Sequence, residues 1–370
     1  MDLSTPTSTF VDTPPAQRLH GPDVARAVAL IGVVVMNFRG YLLLRADRPT
    51  GDGWAEQLLD PWDGPLATRF AATFVLVAGV GVTLLTRRAV DDPLRMPARI
   101  TEMRWRLVRR GVLLYAVGLV LDEVWPGTIL PYYGIMFVLA AMVFTWRTTW
   151  VVLAGVVTVA GSSALRLWRF DRNRDGHSTT WLTAPGDDSV RRYVFDVVVN
   201  GTHPLLPWFA FLCAGIVLGR AISANRWRPA ALTVGGLLVV VAWMLSSTAT
   251  SEFGEIAFSL DPYDRGLAYV TSALGTALVA YAAIDWLAEH LPNATEPLRR
   301  AGQLTLSLYL LHIAVFNLVV DWLGWIEPAG VGSALAFAAT FWLAAVATGV
   351  AWQRRFGRGP AEYVYRAFGG

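Results

Sequence analysis

The sequence predicts an all-α protein, a polytopic membrane bundle of about ten transmembrane helices. Three observations carry this. About ten apolar segments follow one another along the 370 residues, most of them near the roughly 20 residues that cross a bilayer core. Apolar residues make up 54% of the chain and charged ones 16%, where a soluble domain carries about a quarter, and the mean hydropathy is +0.44. Several of the segments also hold Asn, Arg or His. Such groups are costly in lipid, so they turn toward a bundle interior or a watery cavity and mark function.

Residues 1–20 are polar and contain prolines without an apolar run, which reads as a disordered cytoplasmic tail and not as a cleaved signal peptide. The bundle then occupies 21–352, and 353–370 reads as a second cytoplasmic tail. The first span, Val24–Leu44, has Asp23 and Arg26 three residues apart on one face of its first turn. Asn37 and Arg39 lie near its far end, where Arg39 can snorkel outward but Asn37 needs a partner, either another helix or a substrate. The second span is Leu66–Thr86. The loop before it carries Asp60 and Asp63, and Arg69 stands in its first turn, so Arg39, Asp60, Asp63 and Arg69 are expected at one outer mouth. Gly79 and Gly81 within it suit close helix packing.

An arginine-rich inner loop, 87–110, leads to a short third span, Gly111–Val124, which ends in Asp122 and Glu123. Adjacent carboxylates can raise one another's pKa, as a general base requires, or simply face water. The fourth span, Ile129–Thr145, opens with Tyr132 and Tyr133. After the fifth, Trp150–Leu167, comes a long outer loop in which Val190–Val199 suits an interfacial amphipathic helix. His203 precedes Pro204 at the mouth of the sixth span, Leu205–Ile222, which also holds the single cysteine, Cys213; no disulfide framework is possible. Pro229–Ser246 and Leu267–Leu287 follow. His312 lies about eight residues, roughly 12 Å, into the ninth span, Leu304–Leu323, among apolar neighbours. It is either hydrogen-bonded structure or a functional group. Gly332–Trp352 is the tenth.

Every basic residue is arginine. With the N-terminus inside and ten alternating spans, 20 of the 31 fall on the inner side, and six of the rest sit around one long outer loop that weighs little in orientation. Both termini are therefore expected in the cytoplasm. No phosphate-binding loop, dinucleotide fingerprint or Cys/His metal cluster is present, and nothing points to nucleic acid.

Taken in order, the motifs resemble those of the transmembrane acyltransferase superfamily. The likeness is to the bacterial YeiB-like family of unknown function and to heparan-α-glucosaminide N-acetyltransferase-like proteins. Asp23, Arg26, Ala29, Leu30, Gly32 and Asn37 follow that first-helix pattern, and Phe74, Gly79 and Gly81 the second. The stretches Ile129–Gly134, His203–Trp208 with Gly219 and Arg220, Gly302–His312, and Gly359–Glu362 complete the set over about 20–368. One departure matters. The lysosomal-type enzymes carry an outer-loop histidine where this chain reads Leu59–Pro65, so acetyl-histidine chemistry is not carried over.

The resemblance implies an acyltransferase of the bacterial plasma membrane. Acyl-CoA would be a co-substrate rather than a tightly bound cofactor, and an envelope glycan or glycolipid the acceptor. His312, His203, Asp63 and Asn37 are the candidate catalytic residues. Arg39, Arg69, Asp122, Glu123, Tyr132 and Tyr133 are candidates for the acceptor, and Asp23, Arg26, Arg104, Arg109 and Arg110 for the donor. The positive-inside rule accounts for the same arginines. A solute or proton transporter and a non-catalytic scaffold subunit are the competing classes. A path joining a basic inner mouth to an outer one favours acyl transfer, inverted repeats favour transport, and a filled bundle with a lipid groove favours scaffolding.

Overall fold

The computed structural model describes residues 19–46, 51, 53–92, 96–183, 189–327 and 330–370. The expected N-terminal tail lies, as far as residue 18, outside them. The helices are α1 (Gly21–Leu43), α2 (Trp54–Leu58), α3 (Arg69–Val90), α4 (Pro97–Asp122) and α5 (Leu130–Val143). They continue with α6 (Thr148–Arg174), α7 (Val190–Phe195), α8 (Leu205–Ala221), α9 (Trp227–Ser247) and α10 (Glu252–Ala257). The last five are α11 (Leu267–His290), α12 (Pro292–Gly302), α13 (Thr305–Phe316), α14 (Val331–Phe356) and α15 (Pro360–Gly369). Five of them (α1, α4, α5, α12 and α15) begin with proline in the first turn, where its missing N–H costs nothing.

The chain is a polytopic helical membrane protein. Seven helices are long and apolar enough to span a bilayer, and an eighth span results if α7 and α8, bent by 52°, are taken together. The 14-residue α5 and the apolar second half of α4 bring the apolar helices to the expected ten. α3 and α11 are the most enclosed of these seven spans, with α1 next, whereas α6 and α9 expose valines, leucines and tryptophans such as Val156, Leu237 and Trp243, as lipid-facing helices do. The stretch expected as one amphipathic helix, Val190–Val199, is helical: α7 covers Val190–Phe195 and a π-helical turn continues over Asp196–Asn200.

Two expected features are corrected. The arginine-rich stretch 87–110 is not a loop, because α3 runs to Val90 and α4 has already begun at Pro97. Arginines every few residues are compatible with helix once their heads reach water. The segment 353–370 is not a free tail either. α14 ends where Gly357 takes a left-handed conformation at φ 76°, and Pro360 starts α15, which returns to pack on α4 and α13.

Glycines let helix pairs close tightly. A Cβ on Gly79 would sit 2.2 Å from the Leu212 carbonyl oxygen of α8, and one on Gly215 2.0 Å from that of Leu76. α4 meets α5 in the same way at Gly111 and Gly134. Backbone cannot yield as a flexible side chain does. Gly215→Ala is therefore expected to lower stability by about 1–3 kcal/mol, read as a lower unfolding midpoint in detergent. An unchanged midpoint would show that α3 and α8 can part without penalty.

Candidate active site

Two cavities enter the bundle from opposite ends. The first, about 780 Å³, lies at the end that carries most arginines. Arg26 of α1, Arg106 and Arg110 of α4, and Arg358 and Arg366 around α15 line it. Spacing explains the α4 pair, since positions four apart share a face. Arg26 is held by Asp23 at 2.6 Å, and the buried Asp23 also accepts from Gln303 Nε2 at 3.1 Å. The carboxylate in this wall, Glu362, is occupied: it accepts the backbone N–H groups of Leu306 (2.7 Å) and Ser307 (3.0 Å) and the Ser307 hydroxyl (2.5 Å). It thereby satisfies two donors at the start of α13 that no helical carbonyl can reach.

Of the expected donor group, Arg26 and Arg110 reach this cavity and Asp23 stands behind Arg26. Arg104 and Arg109 do not: both are exposed on other faces of α4, and Arg104 donates to the Ala141 carbonyl at 3.0 Å. Arg106, Arg358, Glu362 and Arg366 are not among the expected site residues, although Arg106 lies in the arginine-rich stretch 87–110 and Glu362 in the Gly359–Glu362 motif. The 106–110 spacing could have indicated the first. The others depend on α15 folding back.

The second cavity, about 330 Å³, opens at the other end. Its wall has no acidic residue, Lys or Arg and includes the aromatic Tyr41, Trp62, Trp125, Tyr263 and Tyr309, with Asn37 and His203. The loop before His203 is clamped. Arg265, itself left-handed at φ 54°, donates to the carbonyls of Val199 (2.8 Å), Asn200 (3.2 Å) and Gly201, and the Tyr132 hydroxyl accepts the Thr202 N–H at 3.2 Å. His203 then packs its ring 4.5 Å from Trp208.

The polar residues expected near the outer end of the bundle do not all meet in this cavity. Asn37 and His203 line the cavity, but Arg39, Asp63 and Arg69 do not. Successive helical residues turn by 100°, so Arg39 points nearly opposite to Asn37. It is fully buried and pairs with Glu56. Arg69 is spent on Pro65 O, Thr276 and Ser272 of the bundle. Asp63 is exposed, as are Asp122, which accepts the Gly127 N–H at 2.9 Å, and Glu123. Tyr132 acts on the loop as described. Tyr133 belongs to the other cavity and donates to the Phe74 carbonyl at 2.7 Å.

Phe74, Ile129 and Tyr309 border both cavities, so a single layer of side chains separates them. Next to that layer sits His312, one turn beyond Tyr309 and fully buried among Phe38, Trp125 and Tyr309. Its Nδ1 bonds the Tyr309 carbonyl. A carbonyl only accepts, so the proton is on Nδ1 and Nε2 carries the lone pair. That lone pair faces the Asn37 amide nitrogen at 3.1 Å. Asn37 thus gives the cavity its polar surface, with His312 directly behind it. Among the described residues no group of three or more His, Cys, Asp or Glu side chains could hold a metal ion.

With this geometry in view, comparison with known proteins is informative. The family described as "Heparan-alpha-glucosaminide N-acetyltransferase, catalytic" matches residues 18–249. "Protein of unknown function (DUF418)" matches residues 210–369. The chain is 24% identical over 376 aligned residues to the uncharacterized protein YeiB of Escherichia coli (strain K12), covering 93% of this chain and 94% of that protein.

Proposed function

The chain belongs to the heparan-α-glucosaminide N-acetyltransferase catalytic family, and from that premise we propose that it transfers an acyl group across the bilayer from acyl-CoA to an envelope glycan or glycolipid. The observation that carries the reading is the pair of cavities parted only by Phe74, Ile129 and Tyr309, with the Asn37–His312 pair beside them. The arginine-walled cavity suits the phosphates of CoA. Its volume lies within the roughly 300–1,000 Å³ of small-molecule sites. The aromatic, neutral cavity suits the ring faces of a sugar. On the positive-inside rule the arginine end is cytoplasmic, as are both termini, in the plasma membrane.

The chemistry follows from the residues at the junction. An acceptor hydroxyl or amine enters beside Asn37, whose amide oxygen orients it, and displaces the amide nitrogen from His312 Nε2. His312 takes the acceptor proton as a new C–O or C–N bond forms at the thioester carbonyl. The C–S bond breaks, and the proton passes from His312 to the departing thiolate. Transfer is direct, with no acetyl-histidine.

The test uses inside-out vesicles from cells that express the protein, supplied with acetyl-CoA labelled in the acetyl group. Label should appear in the extracted glycolipid or glycan fraction, together with free thiol. Vesicles that release no thiol and transfer no label, with the protein folded in the membrane, would sink the proposal.

A further inference from the structure

Tyr309 is a buried tyrosine that the transfer just described leaves without a part. It is 4% exposed, it borders both cavities, and its hydroxyl sits in a polar cluster at the start of α5. The Thr128 hydroxyl lies 2.9 Å from the Tyr309 oxygen, and the Ile129 N–H points at the same oxygen from 3.4 Å. A longer contact of 3.5 Å runs from the Leu130 N–H to the Thr128 oxygen. The Leu130 N–H donates to Thr128 and the Ile129 N–H to Tyr309, while either hydroxyl can be the donor in the Thr128–Tyr309 bond. A carbonyl oxygen arriving beside Tyr309 selects the arrangement in which Thr128 donates to the phenol. The phenol oxygen then has two donors upon it, and its own O–H remains to give. In the buried layer between the cavities, such a donor is far stronger than in water.

We propose that Tyr309 is a further catalytic residue, whose hydroxyl donates a hydrogen bond to the carbonyl oxygen of the acyl group at the point where the two cavities meet. This rests on the acyl-CoA reading. When the acceptor attacks, the carbonyl π electrons move onto oxygen and the Tyr309 O–H, still holding its proton, stabilises the negative charge. When the C–S bond breaks, the carbonyl re-forms and the hydrogen bond weakens again. Thr128 and Ile129 act through Tyr309, as positioning groups.

The test is infrared spectroscopy of the purified protein with a ketone analogue of acetyl-CoA, in which CH₂ replaces sulfur and the carbonyl is ¹³C-labelled. Bound to the native protein, the analogue should show a C=O band at lower wavenumber than when bound to Tyr309→Phe. Installing 3-fluorotyrosine at position 309, which keeps the shape and strengthens the donor, should move the band lower still, so the test survives if the phenylalanine variant fails to fold. Turnover of acetyl-CoA, followed by thiol release, should fall on the order of 10²-fold in Tyr309→Phe while analogue affinity is kept. An identical carbonyl band in native, phenylalanine and fluorotyrosine proteins, with the analogue bound, overturns the assignment alone. No binding of the analogue by the folded native protein overturns the acyl-CoA reading and this assignment with it.

Discussion

Replacing His312 with glutamine is expected to lower acyl transfer by about 10²- to 10⁴-fold, the usual contribution of a general base. Glutamine is close in length and can still bond Asn37, but its amide cannot take a proton near neutral pH. Alanine is the poorer test. It would leave Asn37, now 3.1 Å from His312 Nε2, facing an empty space beside Phe38 and Trp125. An unpaired buried amide costs about 1–3 kcal/mol by itself. The unfolding midpoint of His312→Gln should stay close to that of the native protein, because Phe38 stacks on Phe337 at 4.2 Å and lies near Phe316 and Phe341, and so holds α1, α13 and α14 together without the imidazole. If His312→Gln keeps full activity, the base lies elsewhere, and His203, which borders the same cavity as Asn37, is next.

A second large effect is expected far from the chemistry. Arg39 is 1% exposed and pairs with Glu56, and its Nε and Nη1 atoms have no partner among the described residues. Glu56→Gln removes the counter-charge and one of the two acceptors: the Gln carbonyl can still accept the Val331 N–H that Glu56 now takes at 2.9 Å, but its NH2 group then faces the Arg39 guanidinium donor-to-donor. A buried charge left unpaired costs about 3–5 kcal/mol. The variant should therefore unfold at a much lower temperature in detergent. The double variant Arg39→Met with Glu56→Met should recover most of the loss, because replacing both partners by apolar groups removes the unpaired charge. If Glu56→Gln is as stable as the native protein, water or lipid headgroups already solvate Arg39.

The contrast between Asn37 and Arg39 marks how far the sequence was legible. Apolar length gave the helices, because a span must satisfy its own backbone and no other cheap solution exists in lipid. It also placed polar residues at the right depth along α1. Depth is not direction, however. Whether a residue two positions along faces a cavity or Glu56 depends on which neighbour each face meets. Pairs such as Asn37 and His312 are 275 residues apart, and no local pattern joins them. The C-terminal helix was missed for another reason. Pro360–Gly369 mixes charge with aromatic residues and reads as a tail until Glu362 is seen to bond the start of α13. Composition marked 87–110 as polar, but polarity does not forbid a helix whose arginines reach water.

The central claim is that the arginine-walled cavity holds a CoA donor, and calorimetric titration of the purified full chain with acetyl-CoA tests it most directly. Acetyl-CoA should bind with micromolar affinity that weakens as salt is raised. Arg26→Ala combined with Arg110→Ala should reduce that affinity at least tenfold, whereas Arg104→Ala, on the exposed face of α4, should leave it unchanged. A folded protein that takes up no acetyl-CoA, or binds it equally well without Arg26 and Arg110, would contradict the account.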